Sequence, residues 1–252
     1  MGLNTVLITQ ARLGSTRLPQ KVLLEIEGKS LLQMHLQRLQ KCINVNKIVV
    51  ATTENLEDEI IYKKVVNWGF EAYKGSEFDV LDRYYKAAKL NSADWVVRVT
   101  SDCPLIDPKL VDQVIDFVQN KDADYGSNTL IENFPDGQDI EVFKFSVLED
   151  AWHNAKLLSE REHVTPFIRK NSTFNGIDKF TSVNFQCNGN FNNIRMTVDE
   201  QIDIYTIEIL IKNLGYNATW EDYSNFIVNN PKKFDNQNII RNEGYFKSLK
   251  KD

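Results

Sequence analysis

Apolar residues recur along this chain in two alternating rhythms. Short runs rich in β-branched side chains predict buried strands over 5–10, 47–52, 70–74 and 94–100. Between them, apolar positions three and four residues apart predict helices over 30–41, 57–68, 79–90 and 108–120. Ser30 and Asp79 stand where N-caps belong, and Pro108 opens the fourth helix at its first turn. Ile60, Ile61, Val65 and Trp68 form the inward face of the second helix, and Leu81, Tyr84, Tyr85 and Ala88 that of the third. Such alternation predicts an α/β fold, a mostly parallel sheet with helices on both faces.

The rhythm changes after Asp124. Residues 125–132 have weak periodicity, and Pro135-Asp136-Gly137 reads as a turn. Residues 139–143 alternate like an antiparallel strand, and 146–157 and 160–170 read as helices. An Asn-rich polar stretch, 171–193, holds one strand candidate at 180–185. A last strand is expected at 195–198, then helices at 201–214 and 221–228, with Ile204, Ile207, Ile211 and Leu214 inward. The charged tail from 231 is expected to be loosely held. No repeat or low-complexity linker marks a boundary, so 1–252 is read as one domain.

Composition narrows the function. At 252 residues and 42% hydrophobic the chain suits one large α/β domain. A formal charge of −5 argues against general nucleic-acid binding, so local cations must serve a local anion. Cys42, Cys103 and Cys187 are far apart and odd in number, which fits neither a disulfide framework nor a zinc pattern. No apolar stretch reaches membrane-spanning length and no secretory signal begins the chain, so a cytoplasmic location is expected.

The candidate chemistry starts in the loop after the first strand, Gln10-Ala11-Arg12-Leu13-Gly14-Ser15-Thr16-Arg17-Leu18-Pro19-Gln20-Lys21. Three cations beside exposed backbone N–H groups at a strand's carboxyl end suit a polyanion such as phosphate. A P-loop is excluded, because Leu23 stands where Gly28-Lys29-Ser30 requires a preceding glycine. The three-glycine dinucleotide pattern is missing too. Two aspartates follow strands and precede helices. Asp102 lies in Thr100-Ser101-Asp102-Cys103-Pro104, and Asp199 in Met196-Thr197-Val198-Asp199. A lone Asp there is often a turn or cap residue. Asp107, just before Pro108, fits that role, while Asp102 has no such local task. Asp203, one turn beyond Asp199, is expected at the surface.

These motifs resemble the sugar cytidylyltransferases of the CMP-KDO synthetase kind, and most closely their spore-coat polysaccharide (SpsF) branch. The resemblance runs from Val6 to about Ile204. It implies a nucleotidyltransferase (GT-A-like, Rossmann-type) sheet with a β-rich excursion, roughly 126–193, that makes a homodimer in relatives. It implies that CTP binds over the loop, with Ala11, Arg12, Gly14, Ser15, Arg17 and Lys21 around its triphosphate. It implies Mg²⁺ on Asp102 and Asp199, with Arg12 and Lys21 stabilising the departing pyrophosphate. Asp136, Asp139, Glu141, Arg161 and His163, with Arg17, are the candidate contacts to an acidic sugar-like acceptor. The family commonly has Gly before the Lys, and Gln20 stands there. A surface helix with ordinary charges is the plainer account of Arg161 and His163, as a turn is of Asp136. Two other functions compete. A metal-dependent glycosyltransferase would share the architecture but take a sugar nucleotide. A non-catalytic nucleotide-binding module would have no need of both Asp102 and Asp199.

Overall fold

Strand β1 (Thr5–Gln10) is apolar on both faces, with Val6, Leu7 and Ile8 fully buried. A strand of that kind needs cover on both sides. The structure, a computed structural model, describes residues 2–252 and supplies that cover. A small hairpin, β2 (Glu25–Ile26) and β3 (Lys29–Ser30), leads into helix α1 (Leu31–Leu39), and the Ser30 hydroxyl accepts from the Gln33 N–H as the cap. Strand β4 (Lys47–Thr53) and helix α2 (Glu59–Asn67) follow, then β5 (Glu71–Gly75) and α3 (Val80–Leu90), then β6 (Trp95–Thr100) and α4 (Pro108–Asn120). Val6 and Ile8 pack with Leu81, Tyr84 and Ala88 of α3, while Leu7 packs with Val111 and Val114 of α4. The period of two along β1 thus feeds two cores.

The remaining strands are short. Strand β7 (Tyr125–Ser127), β8 (Glu141–Lys144) and β9 (Ser182–Asn184) complete a seven-stranded sheet of order β5-β4-β1-β6-β8-β7-β9. The first four are mutually parallel, and β8 runs antiparallel to β6 with Arg98 opposite Glu141. That reversal brings the N-terminal end of β8 to the edge where β1 and β6 deliver their carboxyl ends. Helices α5 (Phe145–Asn154), α6 (Leu158–His163) and α7 (Pro166–Lys170) cover this half, followed by α8 (Gln201–Leu214) and α9 (Trp220–Asn229). Among the described residues, no helix is long and apolar enough to cross a membrane.

Several expectations are corrected. Residues 195–198 are extended but form no sheet strand. Met196 N donates to Asp136 O and Val198 N to Asp102 O, so two separate loops share the pairing that one strand would supply. The single helix expected over 160–170 is broken at Val164, φ 73, because Pro166 has no N–H to donate to the Glu162 carbonyl and its ring would crowd that carbonyl in a continuous helix. Ile60 and Leu214 point outward. Asp203 is fully buried rather than at the surface. The tail is tied down: Asn236 is buried, α10 (Glu243–Ser248) packs on α6, and the Asp252 carboxylate accepts from the Ser159 N–H at 2.8 Å.

Two predictions follow from local strain and burial. Gln20 holds left-handed backbone, φ 57 and ψ 18, a conformation costing a side-chain-bearing residue roughly 1–2 kcal/mol. Gln20→Gly should therefore unfold no earlier than wild type in thermal melts, while the β-branched Gln20→Val should unfold earlier. A glycine variant that melts clearly earlier would show that the position is unstrained. His35 is fully buried between the Cys103 carbonyl at 2.9 Å and the Thr9 hydroxyl at 3.2 Å, and burial lowers its pKa to about 4. The unfolded chain binds this proton near pH 6.5 and the folded chain only near 4. Stability is therefore lost as pH falls between those values, with no further loss from this group below. Urea titrations across that window should show the slope, and His35→Gln should remove this group's share of it while His163 keeps its own.

Candidate active site

The loop after β1 folds back on itself. Ser15 N and Gln20 N both donate to the Leu13 carbonyl, at 2.7 and 3.0 Å, and the Leu13 N–H is held by Asp58. Leu18 and Val22 anchor the loop in the core. The left-handed turn at Gln20 then starts the single helical turn Lys21–Leu23, which aims Lys21 inward. Gly14 lies outside the left-handed region, and an added Cβ would meet the Glu77 and Glu57 carboxylates only at ordinary contact distance. Its lack of a side chain leaves the outer loop open to approach.

Lys21 is the centre of the arrangement. Its Nζ donates to Asp102 Oδ2 at 3.0 Å, to Asp199 Oδ1 at 2.8 Å and to the Val198 carbonyl at 2.9 Å. Burial alone would lower the Lys21 pKa, but the charges of Asp102 and Asp199 outweigh it and the net shift is upward. Burial likewise pushes Asp102 up, yet Lys21 and the Thr100 hydroxyl hold it well below the usual carboxylate range. Arg17 joins the group through Asp199 at 2.8 Å and reaches Glu200 and Glu243 at 3.5 Å. The structure thus brings together Arg17, Lys21, Asp102 and Asp199 from three segments.

Two residues that motif reasoning missed hold this group in place. Arg195 grips buried Asp203 with two N–H···O bonds of 2.9 and 2.8 Å, meets Asp136 at 2.8 Å and reaches Asp199 at 3.4 Å. Asp203 in turn accepts from the Asp199 and Glu200 N–H groups at 2.8 and 2.9 Å, fixing the backbone that carries Asp199. A signal was present: Ile194, Met196 and Val198 are apolar, so an extended chain points Arg195 and Thr197 the other way. Gly137, at φ 104, is required here, because a Cβ would lie 2.8 Å from the Met196 and Thr197 backbone.

Beside the cluster lies a cavity of about 330 Å³. Asp102 and Asp199 face it, as do Asp136, Asp139, Glu141 and His163. Glu141 is paired with Arg98 and accepts from the Tyr125 hydroxyl at 2.7 Å. Asp139 is paired with Arg241. Burial and the neighbouring Asp139 push Asp136 up to about 7 against the pull of Arg241 and Arg195. His163 stands edge-on to Tyr245, its buried Nε2 without a hydrogen-bond partner. Burial and the nearby Arg98 charge lower its pKa to about 4. The tail expected to be loose builds one wall, through Ile240 and 242–245.

Other candidates lie elsewhere. Arg12 is turned to Glu77 at 2.7 Å, and Ala11 is buried with its N–H on the Ala51 carbonyl. Ser15 accepts from the Leu18 N–H at 3.4 Å. Arg161 does not reach the cavity: it is locked onto Asp79 and the Trp152 carbonyl, joining α6 to the start of α3.

Comparison with known proteins bears on the fold and the family. The chain is 43% identical over 164 residues to the protein MJ1063 of Methanocaldococcus jannaschii, covering 65% of this chain and 66% of that one. It is 31% identical over 219 residues to the spore coat polysaccharide biosynthesis protein SpsF of Bacillus subtilis, covering 82% and 86%. A solved cytidylyltransferase from Leptospira borgpetersenii superposes with TM-score 0.87 at 31% identity, covering 95% of this chain and all of that one. The CMP:2-keto-3-deoxy-manno-octonic acid synthetase complexed with CTP shares the fold, with TM-score 0.62 at 18% identity over 83% of this chain and 99% of that one. The cytidylyltransferase family model matches residues 6–218, and the chain belongs to the cytidylyltransferase family of nucleotidyltransferases.

Proposed function

We propose that this protein transfers the CMP part of CTP to a hydroxyl of an acidic sugar-like acceptor in surface polysaccharide synthesis. The observation that carries this reading is the convergence of Lys21 and Arg17 with Asp102 and Asp199 at the mouth of the cavity. A cation pair suits a triphosphate, and a cavity of about 330 Å³ suits a monosaccharide-sized acceptor. Arg169 also lines the cavity. Its guanidinium donates to the Leu130 carbonyl at 3.3 Å and, among the described residues, has no carboxylate partner, so it can take the acceptor's carboxylate.

In the step itself the acceptor oxygen forms a bond to the α-phosphorus, the α–β bridging bond breaks, and pyrophosphate leaves with the bridging oxygen. Lys21 and Arg17 neutralise the charge gathering on that leaving group. Arg12 sits 2.7 Å from Glu77 on the exposed side of the loop and is within the same segment to join them. The acceptor is held by the cavity wall, while the tail excludes water from it. No protein nucleophile takes part.

Asp102 and Asp199 fit a divalent ion. Both are hard carboxylate donors, and their oxygens already converge on one cationic centre at 2.8–3.0 Å. Among the described residues no group of three or more His, Cys, Asp or Glu is arranged as a metal site. Two protein ligands leave room for phosphate oxygens, the usual manner of holding Mg²⁺. When bound, the ion supplies electrostatic stabilisation of the phosphates.

The test is a screen of the four nucleoside triphosphates against acidic sugars, reading pyrophosphate. CTP should be the productive triphosphate. Pyrophosphate from no combination would overturn the reading, and consumption of a sugar nucleotide instead would favour a glycosyltransferase. Asp102→Asn and Asp199→Asn should each slow turnover by at least about a hundredfold. Near-normal turnover in both would remove the metal site. We also expect a homodimer built through residues 126–193, where β9 leaves one sheet edge unpaired. Light scattering at micromolar concentration reads this directly, and a monomer there would refute it.

A further inference from the structure

An ammonium has three protons to donate, and Lys21 has found an acceptor for each: two carboxylates and a carbonyl. Its two carboxylate partners are the pair best suited to a divalent ion. Arg17 shares Asp199 Oδ1 with it, and Arg195 approaches the other oxygen of Asp199 at 3.4 Å. In this state Lys21 stands between the two carboxylates, and both Lys21 and Arg17 are paired with carboxylates.

We propose that the Lys21 ammonium is a resident stand-in for the divalent ion. It holds Asp102 and Asp199 together until ion and triphosphate enter jointly and the charges exchange partners. This rests on the reading of CTP as substrate and of Asp102 and Asp199 as the metal pair.

Charge decides the coupling. An ion entering alone would have to displace Lys21 beside Arg17 and Arg195, with no anion to receive the displaced ammonium. A triphosphate entering alone would draw Lys21 and Arg17 away and leave two carboxylates facing its own negative charge. Entering together, the ion takes the carboxylates as the triphosphate takes the cations. Each then favours the other by the same factor. The movement is small. Lys21 sits on a helical turn anchored by Val22, and its flexible four-carbon stem can carry the ammonium from carboxylate to phosphate without moving that anchor.

A plain structural ion pair makes a different forecast, and Mn²⁺ alone tells them apart. Free Mn²⁺ is counted by its paramagnetic resonance signal, with no nucleotide and no acceptor present, so turnover plays no part. Wild type should bind Mn²⁺ weakly. Lys21→Met, which keeps the stem and removes the charge, should bind it about tenfold or more tightly. Adding Asp102→Asn to Lys21→Met should abolish the gain, which places the ion between the two carboxylates. Lys21→Gln serves in the same way should the methionine variant fail to fold. Unchanged or weaker Mn²⁺ binding by the folded Lys21 variant overturns the stand-in role. Calorimetry separates this from failure of the functional reading. Wild type that binds CTP with Mn²⁺, beside a variant that gains no Mn²⁺ affinity, leaves the CTP reading standing and removes the inference. Wild type that binds no CTP even with Mn²⁺ removes both.

Discussion

The buried guanidinium of Arg195 is the constraint on which the site depends. Its forked geometry matches the carboxylate of Asp203 on one side and leaves an N–H for Asp136 on the other. Breaking such a pair by removing one partner leaves an uncompensated buried charge, which typically costs about 3–5 kcal/mol. Asp203 passes the constraint to the backbone of Asp199, and its other contact, Asn236 at 2.8 Å, passes it to the tail. Gln237 adds two bonds to the Arg195 backbone itself. One ion pair therefore fixes a metal-site candidate, a turn at 135–137 and the start of the cavity wall.

The parallel half of the fold was legible because its strands and helices carry strong, uninterrupted periodicity. Thr5–Gln10, Lys47–Thr53 and Trp95–Thr100 are buried in ways that local pattern records. What the pattern could not show was the partner. Residues 194–198 are apolar at alternate positions and are extended, yet their hydrogen bonds go to two loops, a choice made at long range. The break at Val164 was readable from Pro166, which cannot sit in a helix interior. The tail misled because its charged residues look solvated in sequence. Arg241 and Glu243 instead meet Asp139 and Arg17, more than a hundred and more than two hundred positions away.

The same distinction applies to the site. Lys21 and Asp102 meet because β1 and β6 end at one edge of a parallel sheet, and Asp199 joins them although the segment before it is no sheet strand. Asp203 was assigned to the surface because a charge one turn into a helix is usually solvated. Only the presence of Arg195 beside it, set by the extended 194–198 segment, makes burial tolerable. Arg161 shows the converse: a cation close in sequence to His163 is paired with Asp79, the N-cap of another helix, since side chains two apart on a helix face different ways.

The wall formed by Ile240 and 242–245 lies wholly beyond residue 218, where the family match ends, while the loop after β1 and all of the sheet but Thr5 lie within it. None of the seven strands pairs with the tail. The other walls of the cavity, among them Asp136, Asp139, Glu141 and His163, lie within the matched residues, so the cavity is closed jointly by the family's fold and by a segment beyond it. The tail reaches this region through Asn236 on Asp203 and Gln237 on Arg195, and not through a rung of the sheet. A change confined to Ile240 and 242–245 would therefore reshape one wall of the cavity and leave the ladder of the sheet as it is.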